Sequence, residues 1–340
     1  MNGQNEHTGF SEWIGKLRQR LQGRGAEDDS VTLATEHAVE IADPVIRQAN
    51  RYRQVLRDPV AGAMTYFRSL SETIPGPVIL HRNRYYDDPL VKALFASPDE
   101  LEEVLRLSPE VNAFRQQGHT GETVAMMTMF QNERTIFGSK QDGEMLLREV
   151  QMQAVSFSDH RIVAPAADLE AAGAGIVNRG IEVLATVAME RITTLRARKA
   201  ELTGRREYLK AMAKIYSGKS FRQEMFAPPD IKDREELRKI DQLLDEVNKE
   251  LEELRAQIEL PEQSLGYLEE ILRQPEKMLI ARTQCLRLNW MGVRVDDDAD
   301  SKGNDITLAE FSLQNELRRS AVLVSFFLEA PSSAQGTAAS

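Results

Sequence analysis

The sequence predicts an α+β fold. It has a helical N-terminal region, an antiparallel β-sheet formed from two sequence-separated β segments, and a long antiparallel coiled-coil hairpin inserted between them. Three observations carry this prediction. Capping side chains placed directly before prolines recur through the first third, which is how short helices begin. Apolar runs with strand-like alternation fall in two blocks, residues 119–165 and 276–329. Between them, residues 166–275 carry apolar side chains at alternating three- and four-residue spacing, the seam of paired helices.

Composition supports a folded chain. Hydrophobic residues make up 41% of the 340 positions and charged residues 28%, with a net charge of −10, a balance that excludes wholesale disorder. Cys285 is the single cysteine, so no intramolecular disulfide forms, and no Cys/His cluster offers a zinc site. No apolar run reaches the roughly 18 residues of a membrane span. The first residues lack the basic-then-apolar layout of a secretory signal. The expectation is a cytoplasmic protein without a cofactor or metal.

Residues 1–30 read as an amphipathic segment followed by a linker over 23–30. Phe10, Trp13, Ile14, Leu17 and Leu21 fall at helical spacing, and Lys16, Arg18, Arg20 and Arg24 lie mostly off that stripe. Such a stripe docks on a partner, on the body of the protein itself, or on an anionic membrane surface as a peripheral anchor.

Residues 31–118 form the helical region. Asp43-Pro44, Asp58-Pro59, Asp88-Pro89, Ser97-Pro98 and Ser108-Pro109 mark helix starts, giving helices over 44–57, 59–72, 89–96, 98–107 and 109–116. Ser97 with Glu100 matches a capping box. The breaker Ile74-Pro75-Gly76-Pro77 precedes a short strand at Val78-Ile79-Leu80.

In the first β block, strands at 124–130 and 135–137 flank an expected turn at 131–134, a loop covers 138–143, and a third strand covers 150–157. In the second block, one or two strands cover 279–295 and further strands cover 306–313 and 321–328, the last too apolar to lie outside a sheet. Gln131-Asn132-Glu133 and Gln314-Asn315-Glu316 suggest an internal duplication. Residues 330–340 read as a disordered tail.

The hairpin seam runs through Leu237, Ile240, Leu244, Val247, Leu251, Leu254, Ile258, Leu265, Leu268 and Leu272, with a break expected at Pro261. The preceding arm offers Ile181, Ala185, Ala188, Ile192, Leu195, Leu202, Leu209, Ala213 and Tyr216, interrupted by Lys199 and Arg206. Residues 191–222 carry a net +8 and residues 230–262 a net −6. Opposite signs favour pairing within one chain, although exposed ion pairs contribute only about 0.2–1 kcal/mol each, so the apolar seam supplies most of the stability.

Residues 217–230 form the expected tip, with helices stopped by Gly218 and by Pro228 and Pro229. Phe221, Met225 and Phe226 are large apolar side chains far from any core, and with the two prolines they are the predicted partner-binding residues. The weaker chemical motifs read as structural. Residues 213–220 resemble a phosphate loop but lack the preceding strand that such a loop needs. The basic arm has few aromatic residues for base stacking, so nucleic acid is not an expected partner. The acid-rich stretch 296–305 fails calcium-loop spacing. Cys285 reads as a buried small hydrophobe.

The sequence therefore predicts a non-enzymatic scaffold or adaptor that presents a coiled-coil arm to protein partners, with a homo-oligomer as one form of that pairing. Two alternatives accompany it. One is peripheral membrane association through residues 10–21. The other is an enzyme whose site gathers His81, Asp159 and His160, with Arg82, Arg84, Tyr85 and Tyr86 as an anion-recognising cluster.

Overall fold

The computed structural model describes residues 26–142, 145–226, 231–295, 303–314 and 316–329. The N-terminal amphipathic stripe, the prolines of the hairpin tip, most of the acid-rich stretch and the C-terminal tail lie outside these residues. The fold is α+β, with an antiparallel sheet built from both β blocks and a helical hairpin between them. Two compact units divide the chain: Ala61–Ile181 with Gln274 onward, and Val31–Val60 with Glu182–Arg273.

The first unit holds the sheet. Its strands are β1 (Val78–Ile79), β2 (Gly121–Asp142), β3 (Met145–Ala166), β4 (Leu279–Leu288), β5 (Asn304–Leu313) and β6 (Leu317–Leu328). The order is β3-β2-β6-β5-β4, with β1 pairing in parallel along β6. Met127 stands opposite Val322 and Ala125 opposite Val324, so the last strand of the chain lies directly against the first long one. Beyond β4, the backbone N–H of Val155 donates to Gly292 O and that of Arg294 to Gln153 O, both at 2.8 Å. Arg294 also bridges to Leu288. Two residues thus join the free edges of β3 and β4 and close the strands into a ring, which removes exposed edges at that level.

Met127, Met129, Val155, Phe157, Leu286, Leu288, Ile306, Leu308, Val322 and Val324 share one face and form the main core. The helices α3 (Arg84–Asp87), α4 (Pro89–Leu94), α5 (Pro98–Leu107) and α6 (Pro109–Gln116) cover it with Val91, Leu94, Phe95, Leu101 and Val111. The capping marks predict the starts of α4, α5 and α6, while α3 carries no such mark and is not among the expected helices. Asp88 accepts from the Leu90 N–H, Ser97 from Glu100 and Ser108 from Val111. The Glu100 carboxylate reaches back to the Ala96 N–H at 2.6 Å, closing the box one residue before the cap. The breaker before β1 sits against β6: Gly76 has φ +123°, and a Cβ there would lie 2.4 Å from Leu323 O.

The second unit contains α1 (Ala26–Ala42) from Val31 on, a 3₁₀ turn (Pro44–Gln48), α2 (Tyr52–Ser71) up to Val60, α7 (Leu169–Phe226) from Glu182 on, α8 (Ile231–Ile258) and α9 (Pro261–Arg273). Leu202 and Leu209 of α7 pack with Ile240, Val247 and Leu251 of α8. Arg198 pairs with Glu250 and Lys199 with Glu259, joining the cationic arm to the anionic one, and Arg191 pairs with Glu270 of α9. Lys199 interrupts the apolar seam, but its stem is half-buried while its ammonium reaches Glu259 at 2.7 Å. The break at Pro261 falls between α8 and α9. Asp43 caps the 3₁₀ turn and accepts a two-pronged contact from Arg196, fastening that turn to α7.

Several expectations are corrected. Residues 131–134 are not a turn, and 138–142 are not a loop. β2 runs unbroken through both because β3 supplies its hydrogen-bond partners in a two-stranded ribbon. The duplication fails with them, since Gln131 to Glu133 lie within a strand while Gln314 is in the turn after β5. Pro59 does not start a helix but lies inside α2, where Leu56, Val60, Ala63 and Phe67 keep one buried stripe across it. The expected helix over 44–57 is a 3₁₀ turn followed by the separate start of α2. Residues 26–30 are helix rather than linker. Gly218 does not stop α7, which continues to Phe226; no atom lies within 4 Å of a Cβ built there, so that glycine answers to no packing demand.

Candidate functional site

Among the described residues, two regions stand out as candidate contact sites, one in each unit. In the first unit, the core face of the sheet changes character along β4, β5 and β6. Ile306 and Leu308 are buried, but the next side chains on that face of β5 are Glu310 and Ser312. Across the strands, Arg282 stands opposite Glu310, Ile280 opposite Ser312, and Arg318 opposite Ser312. A tight turn sets this register. Gln314 takes φ +50°, its N–H donates to Met278 O at 2.8 Å, and Leu313 pairs with Leu317.

Ile280, Arg282, Glu310, Ser312 and Arg318 line a cleft of about 130 Å³. Arg318 approaches Glu310 at 3.6 Å. Arg282 is exposed and makes no ion pair among the described residues. Ser312 Oγ is buried and has no hydrogen-bond partner, as is Gln284 Oε1 one pleat along β4. Buried polar atoms are ordinarily satisfied, so an orphaned hydroxyl in a cleft that two arginines also line is a feature in need of an explanation. No local sequence motif marks these residues; the one signal is the switch from Ile306 and Leu308 to Glu310 and Ser312 on one strand face.

In the second unit, α7 carries a stripe on the side away from its seam. Gly204, Tyr208, Ala211, Ile215 and Gly218 are all exposed and spaced by four and three residues alternately. Tyr208 is 64% exposed and Ile215 52%, while Met225 nearer the tip is 65% exposed. Arg205 and Lys214 flank the stripe. Of the predicted tip residues, Phe221, Met225 and Phe226 belong to the last turns of α7 rather than to a loop, and Pro228 and Pro229 lie outside the described residues.

The residues of the enzymatic alternative have other partners. The His160 side chain is 2% exposed, stacks on Phe95 with ring centroids 4.7 Å apart, and its Nε2–H donates to Leu94 O at 2.8 Å. Burial holds its pKa below the usual histidine range, against the opposing effect of that carbonyl. Asp159 accepts from Arg319 and Arg161; their guanidinium groups outweigh its partial burial and hold its carboxyl below the ordinary range. His81 is exposed, and its Nδ1 accepts from the Asn83 N–H. Arg82 is paired with Asp99 and Glu102, and Tyr85 donates to Ala96 O, while Tyr86 is exposed. The phosphate-loop resemblance at 213–220 lies wholly within α7, whose N–H groups serve the helix. Cys285 is exposed, not buried, because it lies on the outer side of β4 opposite Leu286.

Among the described residues no His/Cys/Asp/Glu group could hold a metal ion, and no helix is long and apolar enough to cross a membrane. No protein-family model, curated protein or solved structure matches the chain.

Proposed function

We propose that the protein is a non-enzymatic adaptor that presents its helical hairpin to a protein partner in the cytoplasm. The observation carrying this reading is the outward stripe of α7, where Tyr208 and Ile215 stand exposed one heptad apart, flanked by Gly204, Ala211 and Gly218. The two large side chains supply apolar contact area, and the small ones let another helix approach closely. Met225, exposed one heptad beyond Gly218, extends the same contact toward the tip. Arg205 and Lys214 beside the stripe favour an acidic partner helix over a like-charged copy of α7.

Affinity capture with the full chain, compared with Tyr208→Glu/Ile215→Glu, tests the reading. Neither position is in the seam, so helicity by circular dichroism should stay unchanged while the captured partners disappear. An identical set of partners from a folded double variant would defeat it.

A further inference from the structure

The geometry points to a binding site for a small carboxylate in the cleft between Arg282 and Arg318. The site is independent of the hairpin and stands whether or not the adaptor reading does. Its charge is set by two guanidinium groups and one carboxylate, leaving a single positive charge to be matched by a monoanion. Arg282 has no anionic partner among the described residues. Arg318 rests 3.6 Å from Glu310, longer than the roughly 2.7–2.9 Å of a charge-assisted hydrogen bond, so a better-placed oxygen displaces that contact. Ser312 Oγ, buried and unpartnered, supplies a hydroxyl donor from the strand position between Ile280 and Arg318. Ile280 gives the cleft an apolar wall for a short carbon chain.

A cleft of about 130 Å³ is small beside the roughly 300–1,000 Å³ of pockets that enclose drug-sized ligands. It accommodates a carboxylate head with a short aliphatic stem. Two sources present that chemistry, a free short-chain acid and the C-terminus of a peptide.

The test is a nuclear magnetic resonance titration of the full chain, following the arginine Nε–Hε signals while propionate replaces chloride at constant ionic strength. Parallel arms use an N-acetylated dipeptide ending in valine with a free C-terminus and the same dipeptide amidated. Saturable shifts at Arg282 and Arg318 with propionate or the free-terminus peptide support the site, and the tighter of the two identifies the source. Arg282→Gln should weaken binding at least tenfold. Glu310→Gln should tighten it several-fold, because it frees Arg318 and removes the competing charge; a merely structural cross-strand contact would not give that gain. Shifts that never saturate, that persist in Arg282→Gln/Arg318→Gln, or that are equal for the amidated peptide would overturn the assignment.

Discussion

Leu202→Ala separates the apolar seam from the ion pairs as the force closing the hairpin. Leu202 is 1% exposed and packs among Leu209, Val247 and Leu251. Truncation removes three carbons, worth ~2.4 kcal/mol at about 0.8 kcal/mol per methylene. The cavity left behind adds on the order of 1 kcal/mol, because two facing helices collapse only partly into the gap. A loss of about 3 kcal/mol corresponds to opening roughly 100-fold more often. Amide hydrogen exchange of α7 and α8 reads that opening locally, which suits a chain of two compact units better than a single global midpoint. Lys199→Ala is the comparison, since it deletes the 2.7 Å contact to Glu259 at the helix surface. Its effect should be far smaller, because water screens an exposed pair. Equal acceleration in the two variants, or none in Leu202→Ala, would refute the reasoning.

Other substitutions test other parts of the fold. Gly180→Ala places a Cβ 2.5 Å from the ring of Phe67 and should cost about 1–3 kcal/mol by overpacking in chemical denaturation. Gly62→Ala, with nothing within 4 Å, should instead be neutral or stabilising by up to about 1 kcal/mol. Ser97→Ala removes the acceptor for the Glu100 N–H and should lower stability by about 0.5–2 kcal/mol. His160 is held below its unfolded pKa by burial, so the unfolded chain binds the proton more readily and acidification below about pH 6.5 destabilises the fold. Comparing His160→Gln with the wild type between pH 5 and 7 should show a flatter dependence in the variant; parallel curves would remove His160 as the source.

Local signals in the sequence were the ones that translated into structure. A serine or aspartate before a proline acts within one helical turn, which is why the starts at Pro89, Pro98 and Pro109 are legible. The seam positions Ile240, Val247, Leu251 and Ile258 are likewise buried as their spacing predicts. Polar residues 131–134 misled because the ribbon of β2 and β3 leaves Glu133, Arg134 and Thr135 exposed, so polarity there does not mark a turn. Pro59 misled because a buried stripe on both sides of it keeps α2 helical. Ring closure through Val293 and Arg294 rests on two residues whose partners lie about 140 positions away, beyond any local pattern. The carboxylate cleft was hidden for the same reason: Arg282, Ser312 and Arg318 meet only once three strands are in register.

The pairing of the cationic and anionic arms within one molecule can be tested by zero-length carbodiimide cross-linking of an equal mixture of light and heavy-isotope protein. Lys199 Nζ and Glu259 Oε2 stand 2.7 Å apart and are both solvent-accessible, so they should couple efficiently. Mass spectrometry should find the 199–259 product joining only light to light and heavy to heavy. Light-to-heavy products as frequent as the unmixed ones would show the arms exchanged between copies and contradict the hairpin.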